Sequence, residues 1–288
     1  MKVAVAGIPG AWSSERMCEA LRREGIQSFV FSLCECLHDL SAGRVTFNGF
    51  DLAGLDGIVV KKLGAEASPA ARLRLHILRE LANHDVRIYS RPSAIDVAMD
   101  RYRMTMALVD ARLPVPQTFA IESETALNEA ARTLPSAVIK PVYTSKGRGM
   151  VRIGPGHTSA SQEAPAAGTP TLVQEFIEAP GRDIGACILG SKFIGAFYRV
   201  AASSEWLTCT SAGGSYAPCD LPAAGRRLAE SAAELFGLDY TVVDLVETRG
   251  GYLVYEVSAF GGFRGLWEAS RYDVAAKYAR YVKWDLLG

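Results

Sequence analysis

The chain holds 288 residues, with 31 Lys and Arg balanced by 31 Asp and Glu, so its formal net charge is zero and no general drive toward nucleic acid or anionic membrane is expected. Its six cysteines contain no CxxC pair and its four histidines no HExxH, which excludes the common zinc and redox motifs. The start MKVAVAGIPG reads as a buried strand rather than a signal peptide, and no apolar run approaches about 18 residues, so a reduced, cytoplasmic protein with no membrane span is expected.

Residues 1–92 read as a small α/β domain built on β-α-β alternation. Lys2 to Ala6 is a strand, Gly7 to Gly10 a turn, and Ser13 or Ser14 an N-cap for a helix through Arg23 that stops at Gly25. Gln27 to Leu33, Gly57 to Val60 and Val86 to Tyr89 read as strands. Ala70 to Asn83 reads as an amphipathic helix with Leu73, Ile77, Leu78 and Leu81 inward. The turn GIPGAWSSE is not GxGxxG and specifies no dinucleotide. Lys61 and Lys62 end a strand, where α/β sheets place ligand contacts. Two solvated lysines are the alternative there.

Residues 93–172 read as a second lobe. One helix is expected from Ser93 through Arg112, with Ile95, Ala98, Met99, Tyr102, Met106 and Val109 inward, stopped by Pro114 and Pro116. A short helix from Glu124 to Leu134 precedes the strand ending at Lys140. The stretch VIKPVYTSKGRGMVRI is then a strand, a small and basic loop, and a returning strand. It lacks Walker A order, but Gly147 and Gly149 let backbone N–H groups approach an anion, and Ser145, Lys146 and Arg148 add donors and charge. An ordinary glycine-containing hairpin loop is the alternative. Lys140, alone on a buried strand, requires a partner. Gly154 to Pro170 has no apolar period and reads as a mobile loop.

Residues 173–288 read as a third lobe. Thr171 to Ile177 is a strand, and Asp183 to Leu189 with Lys192 to Val200 a hairpin about Gly190-Ser191. Arg199 near its end is either an anion ligand or an edge residue reaching water. Glu205 to Pro222 reads as loop, Pro222 to Phe236 as a helix ended by Gly237, and Asp273 as the cap of a last helix through Trp284. Between these helices, Thr241 to Val246 and Tyr252 to Val257 flank Arg249-Gly250-Gly251 as a β-hairpin. A three-residue loop sets Asp244 opposite Glu256, with Ser258 next on the same face. Facing carboxylates beside Val242, Val246 and Val254 are destabilising unless neutralised, and Mg²⁺ accepts such a pair. A two-residue loop placing the acids on opposite, solvated faces is the alternative.

In this order, MDRYRMTMALVDARLPVPQT, VIKPVYTSKGRGM, LVQEFIEAPGRDIGACILG, VVDLV and YEVSAFGGFRG resemble the ATP-grasp superfamily, and within it the RimK-like carboxylate–amine ligases. GIPGAWSSE, VVKKLG, KPVYTSKGRGM and EVSAFGGFRG are similar to the ATP-grasp proteins of the so-called GAK system. The resemblance implies an α/β and α+β protein, with a Rossmann-like N-terminal domain and two α+β lobes enclosing an ATP cleft. It implies that Lys140 contacts ATP, that residues 144–149 close over the phosphates, and that Glu175, Phe176 and Ile177 form the adenine hinge. Asp183 would take the ribose, Asp244, Glu256 and Ser258 would hold Mg²⁺ (or Mn²⁺), and Arg199 would stabilise the transferring phosphoryl group. Lys62, Arg148 and Arg264 are candidate substrate contacts, with Arg264 placed nearest the chemistry. The implied partners are a small-molecule or peptide carboxylate and an amine, in a chain compatible with a homo-oligomer.

Some positions depart from the family pattern. Arg101 stands where relatives carry a lysine toward the ATP phosphates, keeping the charge but not the geometry, Leu207 and Cys209 stand where they carry an Arg and an Asn near the triphosphate, and Ser258 where they carry the Asn of the metal pair. The helix usual after Ile153 is also missing. Three functions therefore remain open from sequence: an ADP-forming ligase through an acyl phosphate, an ATP-binding module that has lost catalysis and acts through a partner, and a small-molecule kinase.

Overall fold

The computed structural model describes residues 1–64, 68–143, 147–156, 168–202 and 206–288. Strand β1 (Val3–Ala6) is apolar and wholly buried, as a strand covered on both faces must be. It is followed by α1 (Trp12–Arg23) and β2 (Val30–Phe31), then by the short strands β3 (Leu37–Asp39), β4 (Arg44–Phe47) and β5 (Phe50–Asp51), which form an antiparallel sheet of their own. Strand β6 (Gly57–Val60), α2 (Pro69–Asn83) and β7 (Arg87–Tyr89) complete a parallel sheet of order β2-β1-β6-β7.

The expected serine cap of α1 is absent, because Ala11 occupies the cap and Ser14 lies buried within the helix. The Ser14 Oγ instead accepts a bond from the Ile8 N–H at 3.3 Å, tying the β1–α1 loop to the helix. A Cβ on Gly7 would fall 2.3 Å from that oxygen, which explains the glycine. On α2, Leu73 is 55% exposed and Leu75 takes the inward place expected of it.

The single helix expected from Ser93 to Arg112 is two, α3 (Pro92–Met99) and α4 (Arg101–Asp110). Asp100 breaks it and caps α4, its carboxylate accepting from the Arg103 N–H at 3.1 Å. The break shifts the helical phase. Arg101, Met104 and Leu108 turn inward, while Tyr102, Met106 and Val109 are exposed, contrary to the unbroken pattern.

Strand β8 (Thr118–Ile121), α5 (Glu124–Thr133), β9 (Ala137–Pro141), β10 (Val151–Ile153) and β11 (Thr171–Glu175) form a lobe around the sheet β10-β9-β11-β8. It has a separate core that includes Leu127, Ile139, Ile153 and Val173. The loop expected at 154–170 lies largely outside the described residues. Next come β12 (Arg182–Leu189), β13 (Lys192–Val200), β14 (Ser215–Cys219), α6 (Ala223–Phe236), β15 (Tyr240–Thr248), β16 (Gly251–Val257), α7 (Arg264–Ser270) and α8 (Val274–Leu287). The strands form a five-stranded antiparallel sheet, β14-β13-β12-β15-β16. Strand β14 falls where only loop was expected. Its Pro218 is tolerable because β14 is an edge strand.

The parallel sheet and the five-stranded sheet share one apolar core, in which Ala6, Ile58 and Val60 belong with Ala186, Val243 and Leu245. Polar groups also cross this seam. Arg87 bonds Asp239 at 2.6 Å and Asp285 at 3.1 Å. Lys61 is only 7% exposed and so not solvated; its Nζ donates to the Gly261 carbonyl at 2.6 Å and lies 3.6 Å from the Phe263 ring centroid.

Burial lowers the Lys61 ammonium to about 7. Because its folded pKa lies below its unfolded one, burying the charge costs stability below pH 7, and that cost fades as pH rises toward the usual lysine range. Lys61→Met should therefore destabilise by about 1–3 kcal/mol at pH 9, where a neutral donor is lost, and by less at pH 6. Urea unfolding at the two pH values measures the difference. Among the described residues, no helix is long and apolar enough to cross a membrane.

Candidate active site

Asp244 on β15 does stand opposite Glu256 on β16, but not for the reason expected. Thr248 pairs with Gly251, so the turn holds two residues, Arg249 and Gly250, and by parity alone would send the acids to opposite faces. A β-bulge corrects the parity: Leu245 pairs with Val254 and Asp244 with Glu256, leaving Tyr255 as the extra residue. Ser258 follows, fixed by its N–H to the Val242 carbonyl at 3.0 Å and its carbonyl to Thr241 Oγ1 at 2.7 Å.

The adjacent strands bring the cation. Arg199 on β13 pairs with Asp183 on β12, and Gly185 on β12 pairs with Asp244, so one guanidinium spans the two acids. Its Nε donates to Asp183 at 2.6 Å and its Nη2 to Asp244 Oδ2 at 2.8 Å. Asp183 is fully engaged, since Thr208 Oγ1 donates to its other oxygen at 2.5 Å. Asp244 Oδ1 is buried without a hydrogen-bond partner among the described residues. Burial, opposed by Arg199 and reinforced by Glu256 and Asp183, pushes the Asp244 carboxyl up to about 7. An orphaned carboxylate oxygen facing a second carboxylate is a donor set that suits a hard divalent cation. Among the described residues no group of three or more His, Cys, Asp or Glu gathers into a metal site, here or elsewhere, so a cation held by Asp244 and Glu256 would take its other ligands from water or phosphate.

Across from this pair lies the end of β9. Lys140 Nζ donates to Gln174 Oε1 at 2.5 Å and sits 5.0 Å from the Tyr255 ring centroid. Burial and Arg101 lower its ammonium to about 8, against the pull of Glu256, Asp244 and Asp183. Arg101 donates to the Pro141 carbonyl at 2.7 Å and approaches Glu256 at 3.7 Å. Tyr255 thus joins the site through the bulge, and its hydroxyl also meets the backbone of Ile177.

Glu175, Phe176 and Ile177 run past the same end of the sheet. The Glu175 N–H is spent on the Gln117 carbonyl at 2.8 Å and that of Phe176 on Ser136 at 3.0 Å. The Phe176 ring carries Arg152 at 3.5 Å and Trp206 edge-on at 6.0 Å, two neighbours sequence reasoning missed. Gly147 has φ +71°, and a Cβ there would meet Cys209 Sγ at 3.2 Å and Leu207 at 3.5 Å, so these two departures from the family pattern lie against the basic loop. Gly149 (φ +68°) backs onto Pro141, and Arg148 is exposed. Ser145 and Lys146 lie outside the described residues. Lys62 is half-buried beside Lys61, its N–H bonded to Ala6. Arg264 starts α7, pairs with Glu268 at 3.4 Å and lies 5.6 Å over Trp12; its described contacts do not reach the Asp244 cluster.

Gly147, the half-buried Lys140 and two carboxylates bridged by Arg199 are brought together from two separate sheets. The RimK-like ATP-grasp domain matches this chain over residues 98–282. The chain belongs to the RimK-like ATP-grasp family. It is 33% identical over 258 residues to a tetrahydromethanopterin:alpha-L-glutamate ligase of Methanosarcina acetivorans, covering 83% of this chain and 80% of the relative. A probable alpha-L-glutamate ligase 2 of Hahella chejuensis is 27% identical over 286 residues, covering 96% and 93%.

Among solved structures, a RimK domain ATP-grasp protein of Sphaerobacter thermophilus superposes with TM-score 0.77 at 20% identity, covering 98% of this chain and 99% of that one. The ATP-grasp ligase PsnB, solved with a phosphomimetic variant of its minimal precursor, Mg and ADP, gives TM-score 0.77 at 19% identity, covering 99% and 98%. The fold is therefore ATP-grasp, and this RimK-like protein is a ligase-family enzyme.

Proposed function

We propose that the protein is an ATP- and Mg²⁺-dependent ligase that joins a carboxylate to the amine of an amino acid or peptide, releasing ADP and phosphate. The observation carrying this reading is the Arg199–Asp244–Glu256 arrangement facing Lys140, with one Asp244 oxygen unpaired among the described residues. A free carboxylate is a poor electrophile. In the first step a substrate carboxylate oxygen attacks the γ-phosphorus of ATP and ADP leaves, giving an acyl phosphate. The amine then attacks the acyl carbon, loses a proton and expels phosphate, forming the amide.

Asp244 and Glu256, with Ser258 beside them, would hold Mg²⁺, whose charge neutralises the phosphate oxygens. Lys140 and the 147–149 backbone bind phosphates, and the 175–177 segment lies against the base. Arg199, kept protonated by its two acids despite burial, offers fixed positive charge to the transferring group. L-Glutamate is the first amine to try, because the relatives are named for it.

Incubation with ATP, Mg²⁺, candidate acids and L-amino acids should release ADP and phosphate only when acid and amine are both present. Release of AMP and pyrophosphate would overturn the acyl-phosphate route. One observation favours a second reading, a nucleotide-binding module: Leu207 and Cys209, neither able to contact phosphate as Arg and Asn do, stand against Gly147. Calorimetry separates the two, since the module predicts ATP binding indifferent to Mg²⁺ with no turnover.

A further inference from the structure

Strand β16 ends at Val257, and the chain then turns through residues 258–263 before α7 begins at Arg264. That turn lies flush on the start of β15. A Cβ on Gly261 would come within 2.6 Å of the Tyr240 ring and 3.0 Å of the Val242 nitrogen, so no side chain fits beneath it there. From β15 the turn receives two side-chain bonds, Thr241 Oγ1 to the Ser258 carbonyl at 2.7 Å and the Tyr240 hydroxyl to the Gly262 carbonyl at 2.9 Å.

A third side-chain bond arrives from the parallel sheet. Lys61, directly after β6, donates to the Gly261 carbonyl at 2.6 Å, and its ammonium lies over the ring of Phe263, the residue that caps α7. Among the described residues no carboxylate pairs with Lys61. A buried cation without an acid is costly, so its one strong partner, a carbonyl of this turn, matters to it and to the turn alike.

What the turn carries makes its placement consequential. Ser258 is its first residue, two positions beyond Glu256. A serine oxygen sits one bond from Cβ and therefore reaches only as far as the backbone lets it, while Mg²⁺ accepts little variation in ligand distance. A longer side chain could swing to make up for a shifted backbone. Serine cannot.

We propose that Lys61 is a positioning residue for the metal: through Gly261 it fixes the 258–263 turn, and so the place from which Ser258 meets the cation, directly or through a bound water. The inference rests on the metal assignment in the ligase reading above. Cation binding at the Asp244 and Glu256 pair then depends on a side chain of the N-terminal sheet, which holds neither acid.

The test is titration of the nucleotide-free protein with Mn²⁺ as the probe, free Mn²⁺ being counted by electron paramagnetic resonance, beside calorimetry with AMP-PNP in EDTA. Lys61→Met should weaken Mn²⁺ binding by about tenfold, as removal of a group behind a metal ligand does. Metal-free AMP-PNP binding should not change, because Lys140 and residues 175–177 belong to another sheet and its flank. Tyr240→Phe, which deletes the bond to Gly262 and keeps the ring, should weaken Mn²⁺ binding in the same direction. Ser258→Ala should weaken it too, and adding Lys61→Met to that variant should cost little more, since both act through one ligand. Equal Mn²⁺ binding by wild type and Lys61→Met overturns the proposal, as does a loss of AMP-PNP binding in step with Mn²⁺, or a Lys61→Met effect undiminished in the Ser258→Ala background. A wild-type protein that binds no Mn²⁺ overturns the metal assignment and the proposal with it. Mn²⁺ binding that follows these expectations in a protein with no ligation activity would overturn the reaction and leave the role of Lys61 standing.

Discussion

Asp244→Asn is expected to reduce ATP-dependent ligation by about 10³-fold or more while leaving the protein as stable as before. The size follows from the several kcal/mol that metal-held charge contributes to phosphoryl transfer. Stability is preserved because two effects oppose each other. Removing a charge beside Arg199 leaves a buried cation with one partner fewer. Arg199 keeps its 2.6 Å bond to Asp183, however, and the new amide oxygen can accept the Nη2 bond that Oδ2 accepts now at 2.8 Å. At the same time a buried carboxylate that faces Glu256 and lies near Asp183 is relieved of its charge. The balance should fall within about 1 kcal/mol of the wild type. Thermal unfolding paired with an ADP-release assay decides the matter: a large fall in melting temperature would mean that the acid is structural. Glu256→Gln should behave alike, with a milder stability effect because its side chain is 34% exposed.

Much of this site was legible because its residue types are out of place for a core. Asp244, Glu256, Arg199 and Lys140 each sit among apolar neighbours in sequence, and burying them costs too much unless they meet. What sequence could not supply was the path by which they meet. The face-sharing of Asp244 and Glu256 depends on a bulge at Tyr255 together with a two-residue turn, and a three-residue turn without a bulge gives the same parity. The bulge also carries Tyr255 beside Lys140, a place that strand alternation alone does not give it.

The break at Asp100 had a local signal, an Asp able to cap the turn after it, but an uninterrupted apolar period overrode it. Lys61 could not be resolved, because its partner Gly261 is 200 residues away and a carbonyl leaves no mark on composition. Short strands such as β3, β5 and β14 carry too few residues to establish a period, and they are held by their neighbours rather than by their own pattern.

Arg199→Met should be the most destabilising single change in the site, costing about 3–5 kcal/mol, and should abolish ligation as well. The guanidinium is the group that Asp183 and Asp244 share, and its methionine replacement leaves two buried acids facing each other with no cation bonded to either among the described residues. Arg199→Lys should rescue little, since one ammonium cannot reproduce the Nε and Nη2 geometry that spans two strands. The double variant Arg199→Met/Asp244→Asn discriminates between the roles. If the loss of stability comes from uncompensated charge, removing the second charge recovers most of it, so the two substitutions are strongly non-additive in stability. Activity should not return, because neither the cation nor the metal-holding acid is restored. Mg²⁺ adds an independent check: a cation that binds the folded state raises the melting temperature by mass action. That rise should be larger in Arg199→Met than in the wild type, because there the metal meets carboxylates stripped of their arginine, and it should vanish in the double variant, where the unpaired Asp244 oxygen no longer belongs to a carboxylate.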